Sequence, residues 1–131
     1  MTEPDRMQWN LGGWLGAQLG GSVWILVAGI LSLRADVNAA LVVIGLFILA
    51  NLIGLAIWRH RERLSAYAGI QLFLPVLLVV GLAAVYTMER AGIYETIQVG
   101  GSVSAGSTYG ILVLVVLGLM LMFHFRFRRK R

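Results

Sequence analysis

Four stretches of this chain carry no Asp, Glu, Lys or Arg: residues 7–33, 37–58, 64–88 and 96–125. Each is as long as the roughly 20 apolar residues that an α-helix needs to cross the hydrocarbon of a bilayer. Backbone inside hydrocarbon must satisfy its own hydrogen bonds, which restricts spanning segments to helices and closed barrels. Unbroken apolar runs of this length fit helices. Composition agrees, with 59% hydrophobic and 13% charged residues against roughly 45–50% and 25% in soluble domains. The expected fold is a single all-α integral membrane domain over residues 1–131, a four-transmembrane-helix bundle. Its helices are expected near residues 10–33, 37–58, 65–88 and 104–125, followed by a short basic tail at 126–131.

Local signals refine those limits. Asp36 or Asn38 in "LRADVN" suits the N-cap of the second helix, and Ser65 that of the third, because a short polar side chain accepts from an otherwise orphaned backbone N–H. Pro75 falls in the middle of the third helix, where it removes one ladder donor, frees the carbonyl of Gln71 and is expected to kink the helix. The one sizeable loop is "ERAGIYETIQVGGSVSAGS", residues 89–107. No internal repeat is visible. Glu3, Asp5 and Arg6 open the chain in place of a basic signal-peptide start, so the first span is expected to remain in the mature protein.

Nine of the eleven Lys and Arg residues lie in three places: Arg6, the turn "RHRER" at 59–63, and the tail "RFRRKR" at 126–131. Only Arg34 and Arg90 lie elsewhere. In a four-span chain the N-terminus, the middle turn and the C-terminus share one side, and Lys and Arg near short flanks favour the cytoplasm. This predicts an N-in, C-in protein of the bacterial inner membrane. The net charge of +5 is thereby assigned to topology, and a nucleic-acid partner is not expected. Arg126, Arg128, Arg129, Lys130 and Arg131 are also candidates for anionic lipid headgroups, at about 1 kcal/mol per cation.

Within the first span, "GGWLGAQLGG" at 12–21 concentrates glycine where each interior Gly costs roughly 1 kcal/mol of helix propensity. In lipid, helices associate by close packing, and small residues four apart let backbones approach. Gly12, Gly16 and Gly20 form one such ridge; Gly13, Ala17 and Gly21 form the next. They mark either packing inside the bundle or an oligomer interface. Trp14 and Gln18 point to the opposite side, which suits a helix wedged between its own bundle and a neighbour.

Polar residues inside the spans are few. Gln18, Asn51 and Gln71 fall at one depth, roughly 12–14 Å from the basic boundary at 1.5 Å per residue. Unpartnered amides in hydrocarbon cost several kcal/mol, so these three are expected either to bond across helices or to line a watery constriction, with Gly118 and Met120 of the fourth helix near that level. Ser104, Ser107 and Thr108, with Tyr109, bring hydroxyls to the other half of the membrane, either bonded back to their own helix or lining a polar cavity.

No Asp or Glu lies within a span, which disfavours proton-coupled export. Cysteine is absent. His60 and His124 stand among arginines at helix ends and read as solvated interfacial residues. No metal, no other cofactor and no enzymatic activity is expected.

Small multidrug-resistance exporters share this size and span count, but their mid-membrane Glu has no counterpart here. "GGWLGA" at 12–17 resembles the early GGxxGA of fluoride channels of the dual-topology dimer family, and Asn51 with Gly54 in "NLIG" resembles their second-helix NxxG. The likeness covers about ten residues. Gly20 and Gly21 stand where that family carries an Arg, and "FLPVLLVVGLAAVY" at 73–86 lacks its run of Thr, Ser and Phe, so the chain is not assigned to it. The expected function is that of a small membrane protein that packs through glycine-rich helix faces, as a homo-oligomer or as an accessory subunit of a larger membrane complex. An oligomeric channel or uncoupled facilitator for a small ion or neutral solute is the alternative.

Overall fold

The structure is a computed structural model that describes residues 8–93 and 105–128. It is all-helical: α1 spans Leu11–Ser32, α2 Val37–Arg59, α3 Ala66–Arg90 and α4 Ala105–Arg128. All four are long and apolar enough to cross a membrane.

The first three helices each start where a polar side chain relieves an orphaned donor. Asn10 Oδ1 accepts from Gly13 N at 3.1 Å, Asp36 Oδ1 from Ala39 N at 3.0 Å, and Ser65 Oγ from Ala68 N at 3.1 Å. Of the two candidates for the second cap, Asp36 is the one used. α3 runs unbroken through Pro75. Just past its C-cap, Ala91, comes Gly92, whose φ of +68° is the left-handed conformation that glycine adopts without a Cβ penalty.

The helices are unequal partners. α1 packs on α2, α2 on α3 and α4 on α3, with a smaller α1–α3 contact. Half of the α3 span is buried, against only 6% of the α4 span. The core therefore belongs to α1, α2 and α3, around Ile25, Val43, Phe73, Val80, Ala84 and Val85, and α4 lies along the outside of α3.

Contacts between distant parts of the chain show which ends lie together. Trp9 Nε1 donates to Leu64 O at 2.7 Å, and Tyr67 Oη lies 3.2 Å from His124 Nδ1. The start of α1, the α2–α3 turn and the end of α4 thus share one end of the molecule. Arg59, Arg61, Arg63 and Arg126 are exposed there, so this is the basic end. The opposite end carries Arg34, Asp36, Glu89 and Arg90.

Side chains facing away from the core are branched and apolar over most of the surface. On α2 they include Leu41, Val42, Ile48, Leu49, Leu52 and Leu55; on α4, Ile111, Leu114, Val115, Leu121 and Phe125. Apolar surface on this scale is rare against water and is consistent with an integral membrane protein.

Candidate functional site

The polar cluster sits between α1 and α2. Gln18 Nε2 donates to Asn51 O at 2.9 Å and to Asn51 Oδ1 at 3.1 Å. Asn51 Nδ2 donates to Ser22 Oγ at 3.0 Å and to Phe47 O at 2.8 Å, and Ser22 Oγ donates to Gln18 O at 2.7 Å. All five N–H and O–H donors of these three side chains are therefore satisfied within the two helices. Trp14 Nε1 adds a bond to Gly54 O at 3.2 Å.

One atom is left over. Gln18 is 5% exposed, and its Oε1 has no hydrogen-bond donor. Rotating the amide would point that oxygen at the two Asn51 acceptors, so the orientation is fixed by the network. Oε1 rests against Gly54, where a Cβ would stand 2.6 Å from it and 2.5 Å from Gln18 Cδ. A side chain at position 54 would therefore displace the Gln18 amide. The cluster carries no titratable group and no charge, so what it does is clamp α1 to α2.

Gln71, at the same depth, does not join it. Its Nε2 donates to Met120 O at 3.2 Å, tying α3 to α4. Two further polar contacts hold the same pair of helices: Tyr67 with His124 at the basic end, and Tyr109 Oη donating to Glu89 Oε2 at 2.8 Å at the opposite end. His124 is thus half-buried in a helix contact and departs from the solvated expectation, whereas His60 is exposed, its Nδ1 2.8 Å from Ala56 O. Ser107 is exposed and Thr108 half-buried. Ser104, Arg129, Lys130 and Arg131 lie outside the described residues, as does the Arg128 side chain.

Sequence reading missed Ser22 and Gly54 in the cluster. Ser22 lies one turn beyond Gln18, on the same face, a spacing that does not announce itself among so many small residues; Gly54, three residues after Asn51, stood out only through the NxxG likeness and not as a neighbour of Gln18.

The glycine run of α1 faces the other way. Trp14, Gln18, Ser22, Ile25, Gly29 and Ser32 are buried on the inner side. At about 100° per residue, Gly16, Gly20 and Val27 point directly opposite. Gly12, Gly13, Gly16, Ala17 and Gly20 are all exposed, and a Cβ added at Gly16 or Gly20 would meet nothing within 4 Å. Only Gly21 packs inward, against Leu77 of α3.

Close approaches at glycine inside the chain occur at other positions, to backbone at Gly29 and to side chains at Gly69 and Gly81. A Cβ at Gly29 would lie 2.7 Å from Ile44 Cγ1 and 3.4 Å from Ala40 O; Gly69 carries Trp9, and Gly81 sits between Trp24 and Leu112. No known protein family, curated protein or solved structure matches this chain.

Proposed function

We propose that this protein is a packing subunit of the membrane, and that the outward face of α1 receives a helix from outside the chain, belonging to a second copy or to a larger complex. One contrast carries the reading. Where α2 and α4 turn outward they present Leu, Ile, Val and Phe, the side chains that acyl chains accommodate without cost. Single glycines interrupt those surfaces at Gly45 on α2 and at Gly106, Gly110 and Gly118 on α4, whereas over its basic half α1 gathers Gly12, Gly13, Gly16, Ala17 and Gly20 into one patch flanked by Leu11, Leu15 and Leu19. Five small residues weaken the helix and gain nothing against lipid; against another backbone they allow the close approach that drives association in a bilayer.

The channel reading has less support, because Gln18 uses its amide donors on Asn51, Asn51 uses its own on Ser22 and Phe47 O, and Gln71 donates to Met120 O of α4. The reading assigns no catalytic role and no nucleic-acid partner. By the positive-inside rule the basic end faces the cytoplasm of a bacterial inner membrane.

The test uses the openness of the face. A Cβ at position 16 or 20 meets nothing within 4 Å and both positions face outward, so Gly16→Leu and Gly20→Leu are expected to leave the monomer fold intact. Light scattering after size exclusion in mild detergent is expected to show a larger species for the wild type and monomer for either variant. Identical masses for wild type and variants would remove the face from assembly. Alongside it, ion and solute flux into proteoliposomes is expected to stay at the lipid background.

A further inference from the structure

A second feature lies at the basic end, on the turn between α2 and α3. The apolar run of α2 stops at Trp58 and that of α3 starts at Leu64, so residues 59–63 sit where hydrocarbon gives way to headgroups. Arg59, Arg61 and Arg63 are exposed on this turn, and Glu62 is its one acid.

Arg61 is held differently from an ordinary surface arginine. Its guanidinium carbon lies 4.8 Å from the centroid of the Trp58 ring. Trp58 is half-buried and meets the edge of Trp9 at 5.6 Å; Trp9 in turn meets Trp14 at 5.1 Å and donates its indole N–H to Leu64 O. The shelf beneath Arg61 is therefore tied both to α1 and to the α3 side of the turn. Among the described residues the guanidinium makes one hydrogen bond, a long one from Nη1 to Trp58 O at 3.4 Å, so most of its N–H groups stay available. A planar fork with open N–H groups matches the oxygens of a phosphate.

We propose that the α2–α3 turn binds the phosphate of an anionic lipid headgroup, with Arg61 on its Trp58 shelf as the principal contact and Arg59 and Arg63 supplying the surrounding positive potential. The membrane position of the turn selects a lipid over a free anion: a headgroup is delivered at that depth with its acyl chains beside the exposed leucines of α2. Tryptophans at the interface hold the turn at the same level. The site does not depend on the α1 face, and either can fail alone.

The test is retention of phosphatidylglycerol against phosphatidylcholine by the detergent-purified protein, read by native mass spectrometry, with inorganic phosphate as competitor. Wild type is expected to keep phosphatidylglycerol preferentially. Arg61→Gln is expected to lower its apparent affinity roughly five-fold, the factor equivalent to about 1 kcal/mol per interfacial cation, with unchanged tryptophan emission as evidence of folding. Arg61→Lys, which keeps the charge and loses the planar fork, is expected to fall between the two. Arg34→Gln, exposed at the opposite end of the molecule, serves as a control that leaves this preference in place. Equal retention by wild type and Arg61→Gln would overturn the site. Displacement of the lipid by an equal concentration of inorganic phosphate would overturn its assignment to lipid.

Discussion

Gly45 and Gly54 lie on the same helix, and an added methyl group acts on them in opposite directions. At Gly45 a Cβ meets nothing within 4 Å; at Gly54 it meets the Gln18 amide at 2.5 Å. Gly45→Ala is expected to stabilise by about 0.5–1 kcal/mol through helix propensity. Gly54→Ala is expected to destabilise by roughly 1–3 kcal/mol, because Gln18 is held by its bonds to Asn51 and cannot withdraw freely. Reversible unfolding in mixed micelles measures both. Asn51→Leu takes one acceptor from Gln18 and one donor from Ser22, and should cost about 1–2 kcal/mol in the same assay. The partnership of Gln18 with Asn51 was legible from their common depth. Depth is a single coordinate, however, and Gln71 shares it while pointing to a different neighbour. The direction in which each amide faces depends on which helices stand beside it, and the sequence does not state that.

Helix limits were legible to within a few residues because charges and caps punctuate the apolar runs: Asp36 and Ser65 begin α2 and α3 as their side-chain chemistry requires. The packing between helices was not. The conspicuous glycines cluster in one run, yet Gly29, Gly54, Gly69 and Gly81, which sit at close approaches, are isolated and form no pattern. The shallow seat of α4 was equally hidden, since its hydropathy resembles that of α3 while its burial does not. With so little surface buried, polar contacts carry more of the attachment of α4 to α3. Gln71→Leu combined with Tyr67→Phe is expected to speed amide hydrogen exchange along α4 several-fold and leave α1 and α2 unchanged. Uniform acceleration across all four helices would instead mean that α4 is integral to the core.

The whole molecule presents two kinds of outward surface, and the absence of cysteine from the chain makes it easy to probe. A single Gly16→Cys or Gly20→Cys substitution is expected to give a disulfide-linked dimer on mild oxidation if copies meet through α1, whereas Leu52→Cys on the exposed side of α2 is expected to stay monomeric. Membrane-impermeant maleimide on intact cells should label Arg34→Cys and spare Arg63→Cys; the reverse pattern would invert the assigned topology. The division of α1 into halves has a geometric result for any partner. Beyond Gly20 the centre of the outward side passes from glycines flanked by Leu15 and Leu19 to Val23, Val27 and Ile30, so the surface steps up partway along the helix. A straight rod laid in the shallow half rides up on that step and leans away. Two such molecules would stand as a V, joined at the arginine-bearing base, with acyl chains filling the open mouth.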